Sequence, residues 1–261
     1  MAKRAAAKPL AQEPAVAELL SLMETHNAPG QQDLLAMLGQ IAGMEKQLAA
    51  AVEELAAMRG ALAEAQKQNH PVKTAMQKAV IVMQGQVLEL RDKLTELKQT
   101  VIDGCKNAVA AFKENGVAAL DNVARFFRVK PVLETMRDNL HEYIRQDDRA
   151  IVKIEAASKE YHEAGRHLKN FVRAVRGQEP VAEPKGPGAL TRTLAAPFRR
   201  EKVLFTSIKG HAEGALKRLE HLEQAAERPS IRKTMEEMSA KVAQDRQGQE
   251  KSAPAVRRDE R

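Results

Sequence analysis

The sequence predicts an all-α protein: an elongated antiparallel helical bundle or coiled-coil hairpin, followed by a flexible linker and a short C-terminal helical segment. The main observation is a heptad column of apolar residues, Leu34, Ile41, Leu48, Leu55 and Leu62. Aromatic residues are only 3% of the 261 residues, with no Trp, so the apolar content suits helix–helix seams better than an aromatic core. No stretch shows the alternation of apolar and polar residues that is typical of a strand.

The N-terminal third begins with residues 1–14, which we expect to form a disordered tail because Pro9 and Pro14 interrupt it. A short amphipathic helix follows from about Ala15 to Thr25. The first long helix is predicted over about residues 31–68, where the heptad column lies. It is expected to end before Pro71, because the residue that precedes a proline is disfavoured in a helix.

Two further long helices are predicted over about residues 71–114 and 131–176, with a shorter one, about 117–129, between them. Their seam columns are Val80, Val87, Leu94 and Val101, and then Leu133, Leu140, Ile154, Tyr161, Leu168 and Val175. Asp147, Ser158 and Gly165 interrupt the last column. The tight break at Pro71 predicts an antiparallel hairpin, so residues 15–177 are expected to form an elongated three-helix bundle.

The C-terminal third is predicted to be a separate segment. Residues 178–197 are rich in Pro and Gly, a composition that disfavours helix and predicts a linker. Residues 198–246 are predicted to form C-terminal helices, and whether these pack on the bundle is left open. The polar residues 247–261 are expected to be a disordered tail.

The composition also limits the functional class. The net charge of +7 is spread over several segments, so it permits an anionic partner without predicting a dedicated nucleic-acid arm. The single Cys105 excludes an internal disulfide and suits a reducing compartment. The start of the chain has no apolar segment typical of a secretory signal, and no run reaches the roughly 18 apolar residues of a membrane span. We therefore expect a soluble cytoplasmic protein.

Residues for catalysis, metal binding or cofactor binding are not predicted. His162 and Glu163 begin a pattern like that of zinc proteases, but Arg166 stands where the second His belongs. Cys105 lies among apolar residues and is predicted to be a small buried hydrophobe. We expect no enzyme activity and no cofactor.

Three groups of basic and aromatic residues are candidate contacts for a partner or for nucleic acid. They are Arg125, Phe126, Phe127, Arg128 and Lys130; Arg166, Lys169, Arg173 and Arg176; and Arg199, Arg200 and Lys202. A basic helix face can follow phosphates without reading bases, although ordinary solvated faces have the same pattern. For the first group, the alternative is that a Phe plugs the end of the bundle and the cations stabilise a helix C-terminus.

Residues 228–235, Arg-Pro-Ser-Ile-Arg-Lys-Thr-Met, resemble the Pro-Ser-aliphatic-Arg helix starts of proteins encoded beside relaxases in integrative conjugative elements of Gram-positive gut bacteria. The helical body, roughly residues 15–177, also resembles uncharacterised helical proteins of such elements, known only as a domain of unknown function. The resemblance implies a mobile-element setting and supplies neither a reaction nor a catalytic residue.

These observations favour a non-enzymatic helical scaffold or interaction protein, an accessory of a mobile or conjugative element. It would act through a protein partner or through self-association along its seams. Two alternatives are a sequence-nonspecific DNA-associated accessory protein and a surface-active protein like a phasin.

Overall fold

The computed structural model describes residues 9–64, 71–175, 179, 189–227, 238–239 and 241–242. Within these residues there is no strand, which confirms the predicted all-α helical bundle. The helices are α1 (Pro14–Thr25), α2 (Gln31–Glu64), α3 (Pro71–Asn115), α4 (Lys130–Val175) and α5 (Ala189–Glu227). A 3₁₀ turn, Leu10–Gln12, precedes α1, and a longer 3₁₀ helix, Gly116–Phe126, connects α3 to α4.

Helices α2 to α5 form an antiparallel four-helix bundle in which each helix packs beside its neighbours in the chain and α5 also packs against α2. Cross-helix contacts run in antiparallel register around this ring: Lys98 with Glu45, Gln86 with Gln146, Lys202 with Asp148 and Arg218 with Asp33. The most extensive packing is that of α5 against α4 and α2. At 1.5 Å per residue, α4 is about 69 Å long, so the bundle is elongated.

The heptad columns form the core of the bundle. Their buried members are Leu34, Ile41, Leu48 and Leu55 on α2; Val80, Val87, Leu94 and Val101 on α3; Leu133 and Leu140 on α4; and Phe205, Ile208, Ala215, Leu219 and Leu222 on α5. Fully burying one such Leu or Phe contributes roughly 1.5–3 kcal/mol to folding, so these columns supply most of the driving force.

The two ends of the bundle differ. At the closed end, where α2 and α4 begin, α1 packs on α2 and α3, and the 3₁₀ helix packs on α3 and α5. The α1 side chains of Val16, Leu19 and Met23 are fully buried there. At the open end, where α3 and α5 begin, the last large buried side chain of α2 among those described is Leu55, and the first of α3 is Val80.

The predicted linker over 178–197 is wrong for its last nine residues, which form the first turns of α5 and include Pro197. Proline within a helix removes one backbone hydrogen bond. Packing compensates for this loss, because Ala195 and Pro197 are buried and Thr191 contacts Ser158 of α4. As a result α5 is one 39-residue helix and the fourth member of the bundle, not an appended segment.

Smaller differences occur at the N-terminus and between α3 and α4. Leu10, placed in the predicted tail 1–14, is buried in the core. The predicted helix over 117–129 is the 3₁₀ helix, with a kink at Asn122. Residues 65–68 of the first predicted long helix, 228–235 of the resemblance and the tail 247–261 lie outside the described residues.

Candidate functional site

Asp147 of α4 and Glu201 of α5 form a buried layer of two carboxyl groups at the open end of the bundle. Both occupy seam positions: Asp147 follows Leu140 by seven residues, and Glu201 precedes Ile208 by seven. Their side chains are 4% and 5% exposed, values typical of the apolar core. Carboxylates are almost never buried to this extent unless something pairs with them.

Three of the four oxygens of the carboxyl pair have no donor in the described chain. Asp147 Oδ2 and both carboxyl oxygens of Glu201 are shielded from solvent and accept no hydrogen bond from the described residues. Two adjacent buried carboxyl groups avoid repulsion by sharing one proton, which makes one of them the donor to the other. We therefore interpret Asp147 and Glu201 as an acid pair.

The pKa values agree with that interpretation. Burial raises the pKa of Glu201 to about 9, and the charge of Asp147 and its hydrogen bond to Glu201 act in the same direction. Burial also raises the pKa of Asp147, to about 7, with a hydrogen bond from Glu201 opposing the rise. Asp148 raises the Asp147 pKa further, whereas Lys202 lowers it. At neutral pH, Glu201 keeps its proton and donates it to Asp147.

A groove of about 290 Å³ lies beside the acid pair, between α3, α4 and α5. Its lining combines the two acids with apolar side chains, two amides and one lysine: Ala79, Val82, Met83, Phe198, Gln86, Gln146 and Lys78. The Gln86 side-chain amide donates to the Gln146 carbonyl oxygen at 3.1 Å and so links α3 to α4 at this edge. The arrangement can hold a small cation with an apolar body.

The basic group after the predicted linker lies around this layer and takes part in pairs between helices. Arg199 donates to Glu155 of α4 at 2.5 Å, and Lys202 donates to Asp148 of α4 at 2.6 Å. Arg200 reaches the other neighbour and donates to Glu54 of α2 at 2.5 Å. These cations fasten α5 to both neighbouring helices, and their predicted contact with a partner or nucleic acid stays a prediction.

The basic-aromatic group before α4 lies at the closed end. Phe127 is buried against Gly104 of α3, and Phe126 is half-buried against the core, with the Arg125 guanidinium 4.6 Å from its ring centre. This packing favours the plug alternative for the two Phe side chains. Arg128 and Lys130 are exposed, so they are accessible at this end.

The basic group near the C-terminus of α4 is not gathered into a site by the described contacts. Lys169 is exposed and Arg166 is half-exposed, while the Arg173 guanidinium donates to the Glu179 carbonyl oxygen at 2.7 Å. Arg176 lies outside the described residues. The basic stripe therefore stays a prediction.

Cys105 and Tyr143, two other side chains with reactive groups, lie in surroundings that favour a packing role. Burial raises the pKa of the Cys105 thiol to about 12, which fits the predicted small buried hydrophobe. The Tyr143 hydroxyl donates to Glu89 at 2.6 Å, and burial together with this bond raises its pKa well above the usual range. Within the described residues, no three His, Cys, Asp or Glu side chains come together as metal ligands.

A further surface feature is an exposed apolar row on α3, opposite its core-facing side. We define the α3 stripe as Ile81, Gly85 and Leu88, spaced four and three residues apart. Ile81 is 62% exposed and Leu88 43% exposed. Nothing lies within 4 Å of the position that a Cβ would take at Gly85, so this part of the helix surface is open.

Sequence reasoning missed the acid pair. It treated Asp147 as an interruption of a column and gave no role to Glu201, which stands within the basic group of Arg199, Arg200 and Lys202. The signal was present, because a charged residue in register with a heptad column either breaks the column or is buried in it. Only the packing of α5 on α4 brings the two residues into one layer.

Comparisons with known proteins give one match. No curated protein and no solved structure matches the chain. None of the helices in the described part of the chain has an apolar stretch that would cross a bilayer. A family of unknown function, DUF6674, matches residues 12–261, which is nearly the whole chain, and the protein belongs to this family.

Proposed function

We propose that this protein is a non-enzymatic α-helical scaffold that acts through protein contacts, with the α3 stripe as its contact surface. The observation that carries the proposal is the exposure of Ile81 and Leu88 on a helix whose opposite side is buried in the core from Val80 to Leu97. Apolar side chains in register on an outer helix face are typical of a surface that takes up a second helix.

Gly85 supports the same proposal. Glycine within an exposed helix destabilises it by about 1 kcal/mol relative to alanine. Its position between Ile81 and Leu88 leaves a shallow gap in the stripe, where the backbone of a partner helix can approach closely. We therefore expect the partner to present an amphipathic helix with an apolar row of its own.

The test is a double variant of the full-length protein, Ile81→Glu with Leu88→Glu. Its matched control is Thr74→Glu with Thr95→Glu, which adds the same charge at exposed positions of the same helix. Light scattering measures self-association, and in-cell cross-linking from position 85 identifies a partner protein. We expect one cross-linked product to persist in the control and to disappear in the Ile81/Leu88 variant. Equal cross-linking in both variants contradicts the proposal.

We also propose that the protein is a cytoplasmic accessory of a mobile or conjugative element. The support is the resemblance of residues 228–235 and of the helical body to proteins of such elements, together with a buried thiol that suits a reducing compartment. The gene neighbourhood of other DUF6674 members tests the setting. Neighbourhoods without relaxase genes contradict it.

The two alternatives remain predictions with their own measurements. A DNA-associated role depends on the basic groups, and Arg199, Arg200 and Lys202 are already paired with acids, which reduces the charge available to phosphates. Electrophoretic mobility shift at physiological salt tests that role. Co-sedimentation with lipid vesicles tests the phasin-like alternative.

A further inference from the structure

We propose that the groove beside Asp147 and Glu201 is a binding site for a primary alkylammonium ion, the charged end of a small aliphatic amine or of a lysine side chain. This site goes beyond the proposed scaffold role, and it uses none of the α3 stripe residues. It is argued from the unpartnered oxygens, the shape and lining of the groove, and the charges around it.

The unpartnered oxygens match an ammonium group in number and kind. When the shared proton is lost, Asp147 Oδ2 and the two carboxyl oxygens of Glu201 are buried acceptors without a donor in the described chain. An alkylammonium carries three N–H donors and no acceptor. Once the pair has lost its proton, one ammonium donates to these three acceptors and offsets one of the two negative charges.

The groove supplies the apolar surroundings that an alkyl chain needs. Ala79, Val82, Met83 and Phe198 line a space of about 290 Å³, near the lower limit for pockets that bind small molecules. Such a volume suits a chain of about four to six carbons. Because the carboxyl oxygens are shielded from solvent, we expect an entering ammonium to displace a side chain of the groove lining.

The surroundings favour an organic cation over a metal ion. Calcium takes six to eight oxygen ligands, and magnesium is usually held by carboxylates together with several waters in a polar site. Here two acids stand against an apolar wall, and in the described part of the chain no third His, Cys, Asp or Glu completes a ligand set.

The charged groups that face the pair from each helix leave room for an added cation. Lys202 of α5 is held by Asp148 of α4, and Arg200 of α5 is held by Glu54 of α2. Lys78 of α3 lines the groove at its exposed edge and is the chain's own competitor for the site. A bound alkylammonium would take the position nearest the acids that none of these cations occupies.

Binding must release protons, because the pair is protonated at neutral pH. Its carboxyl pKa values of about 7 and about 9 mean that an ammonium ion stabilises the ionised form and displaces protons. Affinity is therefore expected to rise by up to about tenfold per pH unit between pH 7 and pH 9.

The experiment is isothermal titration calorimetry of the full-length protein with 1,4-diaminobutane at pH 7 and pH 9, in two buffers of different ionisation enthalpy. We expect saturable binding with one site, tighter at pH 9, and a heat that differs between the buffers because protons are released. The uncharged isostere 1,4-butanediol should give no binding. A parallel titration with Nα-acetyl-lysine methylamide distinguishes the two sources of the ammonium group. Tighter binding of the diamine indicates a free amine, and tighter binding of the lysine derivative indicates a protein side chain.

The decisive variants are Glu201→Gln and Asp147→Asn, with Glu220→Gln, exposed on the same helix as Glu201, as the matched control. Both site variants should remain folded by circular dichroism, because each removes a buried ionisable group. We expect each to weaken diamine binding at least tenfold and to abolish its pH dependence, whereas Glu220→Gln leaves both unchanged. No saturable binding at pH 9, equal binding of the diol, or undiminished binding to folded Glu201→Gln would overturn the proposal.

Discussion

At the closed end of the bundle, α1 and the 3₁₀ helix lie across the helix termini, and seam positions such as Leu34 and Leu133 are fully buried. At the open end the same heptad register continues, but it carries Asp147 and Glu201 in place of leucine. The difference shows that one repeat can serve two purposes. Apolar residues in the seam hold the helices together. Acids in the same register form a buried site whose ionised state is unfavourable unless a proton or a cation compensates its charge.

The largest expected effect comes from truncating a buried seam side chain at the closed end. Leu34→Ala should lower the free energy of unfolding by about 3 kcal/mol, because a fully buried Leu leaves a cavity that its neighbours fill only partly. Leu62 lies on the same helix towards the open end, and its side chain is half-buried. Leu62→Ala should therefore lower the free energy of unfolding by about 1 kcal/mol or less. Urea unfolding measures both variants. Equal losses would show that the two ends are equally well packed.

The acid pair should make stability fall as pH rises. Glu201 and Asp147 have folded-state pKa values of about 9 and about 7, above their ordinary values, so the folded protein holds protons that the unfolded chain has lost. Their contribution is complete below about pH 4 and is lost as pH rises to about 9, by at most about 1.4 kcal/mol per pH unit for each proton. Glu201→Gln removes most of that slope.

At pH 9 the Glu201→Gln variant should therefore be more stable than the unsubstituted protein, and at pH 5 the difference should nearly vanish. Thermal and urea unfolding across this pH range check both statements. Glu220→Gln, exposed on the same helix, should follow the unsubstituted protein at every pH. If the stability of Glu201→Gln changed with pH in the same way as that of the unsubstituted protein, the acid pair would not titrate as described.

Two glycines of α3 give opposite predictions. A Cβ at Gly104 would lie 2.8 Å from the Phe126 carbonyl oxygen and 2.8 Å from the Phe127 ring, so Gly104→Ala should destabilise the closed end by about 1–2 kcal/mol. Gly85 has open space around it, so Gly85→Ala should stabilise the protein by up to about 1 kcal/mol. Urea midpoints compare the pair directly, and a shift of the same sign for both would contradict the described packing.

The smallest expected effect is that of the ion pairs around the open end. Replacing Arg200 by Ala removes a pair with Glu54 in which both side chains are partly exposed, and the loss should be about 0.5 kcal/mol or less. Raising the salt concentration should reduce even this difference. A loss above about 2 kcal/mol would mean that α5 is held mainly by charge and that the apolar seam is secondary.

The seams of α2 and α3 and the first part of the α4 seam, Leu133 and Leu140, could be predicted because a heptad column is a local pattern with one dominant structural meaning. Leu48, Val87 and Leu140 are buried as their spacing requires. The role of α5 could not be predicted in the same way. Pro197 and the preceding Pro/Gly-rich segment argued locally for a linker, and the packing of α5 on α4 and α2 outweighed that local preference.

The candidate site shows the same limit at the level of single residues. Glu201 stands between Arg200 and Lys202, a setting that indicates a solvated surface, and nothing in its neighbours reveals burial. Its register with Ile208 was the only local sign. Pairing with Asp147 depends on a contact across 54 positions of the chain, which spacing within one helix cannot supply.

The chain order of the ring has a consequence during protein synthesis. Asp33 of α2 and Arg218 of α5 lie 3.1 Å apart although 185 positions separate them. A ribosome that adds about 5–20 residues per second makes the second partner roughly 10–40 s after the first. Throughout that interval the seam of α2 lacks the helix that covers it, and so does the seam of α4 once α4 has been made. A nascent chain that ends before α5 thus has three of the four bundle helices and an exposed groove that fits one more. A separately made α5 peptide would bind in that groove and complete the bundle.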